Sequence, residues 1–516
     1  MTPYLLGIDV GTTGCKALLI DPAGSVVVSA TTEYPMSTPY PLWAEQNPED
    51  WWAATVTSVR RVLVNSGAQP GQVSGVGLTG QMHGLVLLDQ YGEVLRPCIM
   101  WNDQRTAAQC SAITEKVGAE MVLKLTGNPI LPGFTAPKIV WVQDREPDLF
   151  SQVAKVLLPK DYVRYRLTGD FMTEVSGASG TSLLDVGQRR WSDEMVKALE
   201  IPREWLPEVT ESPEVSAYVS THAARRTGLL EGTPVVGGAG DQAAQAIGTG
   251  VVVEGIVSAT LGTSGVVFAA SEQYRVEPEG RLQAYCHAVP GMWHLMGVML
   301  SAAGSLRWYR DTLSDTDTTD ADEPERDPYE VLLEPAARVA PGCEGLIFLP
   351  YLSGERHPHP DPNARGAFTG LTLRHGKAHL TRSVLEGVTY GLLDLLELMR
   401  ALGLSIEQVR ASGGGARSPL WRQILADVFG TEMATVNVTE GAAYGAALLA
   451  GVGAGVYPSV LEACKAVIRV TDRIQPGPAT TVYADYYPIY RSLYPTLAPE
   501  FDAVAKVVYK HLNPGE

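Results

Sequence analysis

The chain has 516 residues, 45% apolar and 19% charged, with 40 Lys and Arg against 57 Asp and Glu, a net charge of −17. That length exceeds one ordinary core, so two or three domains are expected, large enough to fold without metals or disulfides. The negative balance argues against nonspecific binding to nucleic acid or to an anionic membrane surface. Cys15, Cys98, Cys110, Cys286, Cys343 and Cys464 are scattered, without CxxC or a Cys/His cluster, and read as reduced thiols of a cytoplasmic protein. Asp9 breaks the first apolar stretch, so no secretory signal is expected, and no apolar run is long enough to span a membrane.

In chain order, residues 4–8 form an apolar strand ending in Asp9-Val10-Gly11-Thr12-Thr13-Gly14. A second strand over 16–20, a turn at Asp21-Pro22-Ala23-Gly24 and a third strand over 25–30 follow. Asn47-Pro48-Glu49-Asp50 starts a helix predicted to run to Asn65 and stop at Gly67. Strands are predicted over 76–78 and 85–88, with Gly80-Gln81-Met82-His83-Gly84 between them. Pro234–Val236 reads as a strand, followed by Gly237-Gly238-Ala239-Gly240-Asp241-Gln242 and a short helix to Ile247.

The opening pattern then returns. A strand over 255–260, the turn Leu261-Gly262-Thr263-Ser264-Gly265 and a strand over 266–270 repeat the first plan, which predicts two α/β domains divided near residue 246. Residues 292–306 read as a buried strand running into a helix, and the acidic stretch 311–327 as a solvated surface loop. A long helix is predicted over 381–402 with Gly403 as its stop. A strand over 409–411, the run Ser412-Gly413-Gly414-Gly415-Ala416-Arg417 and a helix capped by Ser418-Pro419 make a place to receive a nucleotide.

The chemistry is read from these turns. Phosphate oxygens need several close donors, and glycine lets backbone N–H groups approach them while Thr12, Thr13 and Thr263 add hydroxyls. One Gly/Thr turn is weak, because such turns connect many hairpins; two at matching places in two domains are a stronger signal. Neither is a Walker loop, since no GxxxxGK[ST] occurs. Asp9 beside its turn can hold Mg²⁺. Asp241 reads equally as a helix cap or as a general base, and at a helix N-terminus its pKa is expected to be low. His83 reads as a structural histidine or, with Gln81, as a polyol ligand, and Trp101-Asn102-Asp103 can line the same pocket.

Two longer segments carry a resemblance. Gly133-Phe134-Thr135-Ala136-Pro137-Lys138-Ile139-Val140-Trp141 resembles the first signature of the FGGY carbohydrate kinases, with Arg145 departing from it just beyond. Residues 366–371, then seven residues, then 379–386 resemble the second signature, and the likeness extends from Leu5 to about Val456. It implies an α/β chain of two actin-like, ribonuclease-H-type domains with an active-site cleft between them. Residues 1–246 would be the sugar side and 247–516 the ATP side. It implies an ATP-dependent sugar kinase using Mg²⁺, with Asp9 and Asp241 as catalytic and metal-side carboxylates and Asp241 as proton acceptor. Thr12, Thr13, Gly262 and Thr263 would meet phosphates, Gly414, Gly415 and Ser418 the adenosine, and Trp308 would lie near the nucleotide. Gln81, Met82, His83, Trp101, Asn102, Asp103, Asp241 and Gln242 would line the sugar. The Gln81-Met82-His83-Gly84 segment is of the kind found in members that convert D-xylulose to its 5-phosphate. Gln242 stands where those members usually have Asn, which leaves ribulose, rhamnulose, fuculose, gluconate and glycerol as alternatives. The partners implied are sugar and ATP, with no nucleic acid and no membrane, and a homodimer is left open. A non-kinase actin-like ATPase would need an added peptide-binding or DNA-binding segment.

Overall fold

The first hairpin sets the plan of the N-terminal sheet. In the computed structural model, which describes residues 3–313 and 327–512, β1 (Tyr4–Val10) and β2 (Gly14–Ile20) pair antiparallel with Asp9 opposite Lys16. β3 (Val26–Glu33) follows through a turn in which Asp21 Oδ1 accepts the Ala23 and Ser25 N–H groups and Gly24 takes φ 82°. Helix α1 (Pro48–Ser66) begins at Asn47, whose side chain accepts the Glu49 N–H, and ends at Gly67 in the left-handed region. It buries Trp51 and Trp52. β4 (Val73–Gly80) lies parallel to β1 on the side away from β2, with Asp9 opposite Thr79. β5 (Val215–Tyr218) and β6 (Pro234–Val236) extend the sheet to the order β5-β6-β4-β1-β2-β3, and β7 (Ala239–Gly240) pairs with the end of β4. α2 (Asp241–Gly248) starts immediately after β7.

The second sheet repeats the scheme. β8 (Gly255–Leu261) and β9 (Gly265–Ser271) form the hairpin, β10 (Trp293–Met299) lies beyond β9, and helix α3 spans Ala303–Leu313. α4 spans Pro328–Ala337, and the long α5 spans Lys377–Ala401, starting four residues before its predicted start and ending near Gly403. β11 (Ile406–Ser412) is parallel to β8, as β4 is to β1, and α6 (Pro419–Phe429) follows it. With β12 (Glu432–Val436) and β13 (Val470–Ile474) the order is β10-β9-β8-β11-β12-β13, apart from one short strand outside β10. The acidic stretch 314–326 lies outside the described residues.

The compact units depart from the division expected near residue 246. One unit comprises Met1–Val253, Ala270–Leu295 and Asn437–Arg469; the other comprises Glu254–Ala269, Met296–Val436 and Val470–Glu516. The reason is close packing by glycine. The helix Ala442–Gly453 lies on β1 and β4, where a Cβ on Gly7 would stand 1.9 Å from the Ala443 carbonyl oxygen and one on Gly77 2.0 Å from that of Ala446. The same helix meets α2, where a Cβ on Gly445 would stand 1.8 Å from the Ala244 oxygen. A small-residue helix thus returns to the first unit and holds α2, and with it Asp241, against the sheet. All six cysteines are buried, and none is joined in a disulfide. Among the described residues no helix is long and apolar enough to cross a membrane.

Candidate active site

The turn after β1 is held from three sides. Gly11 N–H donates to Gly14 O at 3.1 Å, and Tyr34 OH donates to Gly11 O at 2.6 Å. Gln46 Nε2 donates to Thr12 O at 2.7 Å while its Oε1 accepts Trp51 Nε1–H at 3.0 Å, so α1 anchors the turn through one amide. Trp101 Nε1 donates to Thr12 Oγ1 at 3.0 Å. Thr13 O accepts the Tyr34 N–H at 3.2 Å, so the backbone at Thr12 and Thr13 is fixed before any ligand arrives.

Asp9 is the penultimate residue of β1, its Oδ1 buried and without a hydrogen-bond partner. Burial first, and the charge of Asp241 second, push its carboxyl up from 3.8 to about 7, with the Lys16 ammonium opposing them. Lys16 is ion-paired with Glu440. Sequence reasoning left Lys16 as an ordinary strand residue, although strand alternation across a tight hairpin was enough to set it opposite Asp9.

Asp241 is the first residue of α2, and Gly240 occupies the cap position without a side-chain cap bond. Asp241 Oδ1 accepts the adjacent Gln242 N–H at 2.7 Å. Its carboxyl is pushed up to about 6 by burial, against the hydrogen bonds from Gln242. The low pKa expected of a carboxylate at a helix N-terminus is therefore corrected: desolvation outweighs the helix field here. The glycine run ahead of it is required sterically. Gly238 has φ 80°, and a Cβ there would lie 2.1 Å from Leu78 O. A Cβ on Gly240 would lie 2.7 Å from Met82 Sδ.

His83 sits at φ 69°, unusual for a residue with a side chain. Its Nδ1 donates to Gly180 O at 2.7 Å, which in the neutral ring makes Nε2 the acceptor. The ring stacks on Phe134 at 4.5 Å between centroids. The His83 carbonyl accepts Thr135 Oγ1–H at 3.1 Å and Lys138 Nζ–H at 2.9 Å. Met82 is buried. Gln81, expected to face a polyol, braces the turn through its amide nitrogen: Nε2 donates to Gly11 O and Gln46 Oε1, each at 3.2 Å, while its Oε1 is buried without a hydrogen-bond partner. Asp103 is also committed elsewhere. It is fully buried in an ion pair with Arg105 at 2.7 Å and accepts the Ala44 N–H at 2.7 Å. Asn102 Nδ2 contacts Met36 Sδ at 3.8 Å on an exposed edge.

The second unit holds a separate cavity of about 910 Å³. Gly262 and Thr263 of the β8–β9 turn, Gly414, Gly415 and Ser418 line it together with Arg307, Tyr329 and Arg417. Ser418 Oγ accepts the Trp421 N–H at 3.2 Å, capping α6. Gly413 has φ 84°, which turns the chain after β11. Gly415 is packed on Trp421, where a Cβ would meet the ring at 3.0 Å, whereas nothing lies within 4 Å of a Cβ on Gly414. Trp308, expected near the nucleotide, does not line this cavity; its ring stacks on Phe348 at 6.4 Å. Arg307, one residue earlier, takes the lining position, because adjacent residues on a helix face different directions. Sequence reasoning missed Arg307 and Tyr329, and named Arg417 only as part of the glycine run.

Two family models match the chain. Residues 4–248 match the N-terminal domain, and residues 257–454 the C-terminal domain, of the FGGY family of carbohydrate kinases. The chain belongs to that family. It is an ATP-dependent carbohydrate kinase, and its two α/β units have the actin-like fold of these kinases. The chain is 42% identical to xylulose kinase of Escherichia coli (strain K12) over 96% of this chain and 99% of the relative. It is 45% identical to xylulose kinase of Klebsiella pneumoniae over 87% of this chain and 89% of the relative. The crystal structure of a xyloylose kinase from Brucella ovis superposes with a TM-score of 0.88 at 38% identity, covering 96% of this chain and 99% of that one.

Proposed function

We propose that this FGGY kinase transfers the γ-phosphoryl group of ATP to D-xylulose, giving D-xylulose 5-phosphate, in the cytoplasm. The observation that carries the reading is the pair of half-buried carboxylates, Asp9 and Asp241, beside a braced Gly/Thr turn, with His83 three residues beyond the end of β4. The xylulose kinase names of the full-length relatives support the choice of sugar.

Phosphoryl transfer asks little covalent chemistry of a protein and much positioning. Asp241 accepts the proton of the sugar hydroxyl. At a pKa of about 6 it is a stronger base than an ordinary carboxylate and still mostly ionised at neutral pH. His83 accepts a hydrogen bond from a sugar hydroxyl through Nε2, and Met82 gives the carbon chain an apolar wall. Trp101 and Gln242 border the same site. Thr12 and Thr13 in the first unit and Gly262 and Thr263 in the second offer donors to phosphate, while Gly414, Gly415 and Ser418 receive the adenosine. Gln81 supports the turn.

The orphaned, buried Asp9 Oδ1 beside a second carboxylate fits a divalent cation. Among the described residues no cluster of three or more His, Cys, Asp or Glu forms a ready-made cage. That matches Mg²⁺, which takes one or two carboxylates and completes its shell with water and phosphate oxygens. Asp9 and Asp241 would hold it, and it would neutralise phosphate charge when bound.

The test is ADP release in a coupled assay across D-xylulose, D-ribulose, L-rhamnulose, L-fuculose, gluconate and glycerol. D-xylulose is expected to have the highest kcat/KM. A higher value for ribulose, gluconate or glycerol overturns the sugar assignment.

A further inference from the structure

One short helix in the first unit reaches both residues assigned to the sugar. Glu174 is fully buried and opens the helix Val175–Ser179. Its Oε2 accepts the Ser176 N–H at 2.6 Å, Ser176 Oγ–H at 2.7 Å and Ser212 Oγ–H at 3.2 Å. Its Oε1 accepts the Gly177 N–H at 2.7 Å and lies 3.2 Å from the buried Lys160 ammonium. Because Ser176 gives its proton to the carboxylate, its lone pairs remain to accept, and they accept the Gly240 N–H at 3.0 Å. Gly240 is the residue before Asp241. At the far end of the helix, the Gly180 carbonyl accepts His83 Nδ1–H at 2.7 Å. A Cβ on Gly180 would stand 2.5 Å from both Nδ1 and Cε1 of that ring.

A buried carboxylate with five neighbours of this kind is costly to build unless every donor is aimed, and once built it is rigid. Rigidity is what the Gly237–Gly240 run lacks, since glycine restricts the backbone least. β4 holds that run on one side, through Gly240 opposite Gly80, and Ser176 holds it on the other.

We propose that Glu174, Ser176 and Gly180 are positioning residues of the kinase. Ser176, oriented by Glu174, fixes the peptide that launches Asp241, and Gly180 fixes the tautomer and tilt of the His83 ring. This rests on the reading of Asp241 as proton acceptor and His83 as sugar ligand.

The experiment compares Ser176→Ala, Ser176→Thr, Ser212→Ala, Gly180→Ala and Asp241→Asn for kcat, D-xylulose KM and melting temperature. Ser176→Ala is expected to lower kcat about 10-fold or more, as supporting-shell losses do, with KM within about 3-fold. Ser176→Thr keeps the hydroxyl and restores most of the turnover. Ser212→Ala loses a bond to the same carboxylate but none to Gly240, and keeps wild-type kcat. Gly180→Ala, whose φ is ordinary for alanine, raises KM about 10-fold or more by displacing the ring while changing kcat little. Should Ser176→Ala fail to fold, the Gly180→Ala split decides. Wild-type kcat in Ser176→Ala beside an inactive Asp241→Asn overturns this proposal and leaves the base assignment standing. Full turnover in Asp241→Asn overturns the base assignment and the proposal with it. Parallel losses of kcat, KM and melting temperature in all variants mean a purely structural helix and also overturn it.

Discussion

Replacing Asp9 by Asn should make the ligand-free protein more stable at pH 8 while abolishing its kinase activity. The carboxyl is pushed up from 3.8 to about 7, by burial first and the Asp241 charge second, with Lys16 opposing. A folded-state value above the unfolded one means that the folded protein binds more protons between those values. Stability is therefore lost as pH rises through that window and is fully lost above about 7. At about 1.4 kcal/mol per pH unit the upper bound at pH 8 is about 4 kcal/mol. Solvent reaching part of the carboxyl lowers that figure, so a gain of about 1–4 kcal/mol is expected for Asp9→Asn. Thermal unfolding at pH 5 and pH 8, without nucleotide, reads it. The variant should melt above wild type at pH 8, and the difference should shrink at pH 5. Adding Mg²⁺ with a nonhydrolysable ATP analogue should raise the wild-type midpoint more than the variant's, because the ion prefers the ionised pair. A variant that melts below wild type at pH 8, or by the same margin at both pH values, refutes the reasoning.

Other outcomes follow from the same geometry. Asp241→Ala should lower kcat about 10²- to 10⁴-fold while the variant stays folded, because no side-chain cap is lost; steady-state kinetics on the folded variant checks this. The wild-type kcat/KM for sugar should fall as pH drops through about 6, since protonated Asp241 cannot accept a proton, and a pH–rate profile flat to pH 5 contradicts it. His83→Ala should lower D-xylulose kcat/KM about 10- to 100-fold and affect sugar-free ATP hydrolysis less. Trp308→Ala should leave the ATP KM near wild type, because its ring packs on Phe348, whereas Arg307→Ala should raise it.

Much of this architecture was legible because special backbone positions demand special residues. The turns at Gly11–Gly14, Asp21–Gly24 and Gly237–Gly240 are written in glycine and small hydroxyl residues, and the repeat of the first hairpin near residue 262 marked the second unit. Helix α1 was legible from Asn47-Pro48-Glu49-Asp50 at its start and Gly67 at its end. What was not legible depends on partners distant in the chain. The helix Ala442–Gly453 is apolar and small-residued on every side, so its sequence says that it is buried without saying against what; glycines at 7, 77 and 445 decide that. Asp103 is a plausible sugar ligand until Arg105 pairs with it, and Gln81 until Gly11 and Gln46 take its amide nitrogen. The raised pKa of Asp241 is invisible locally, because the helix N-terminus argues one way and burial, a tertiary quantity, argues the other. Glu174 and Ser176 carry no motif that sets them beside residue 240.

The most direct test of the central claim is the product itself. Incubation with ATP, Mg²⁺ and uniformly ¹³C-labelled D-xylulose, followed by ¹³C and ³¹P nuclear magnetic resonance, should give a phosphomonoester whose phosphorus couples to C5 and not to C1. Release of inorganic phosphate without an ester, or an ester at another carbon, would contradict the account.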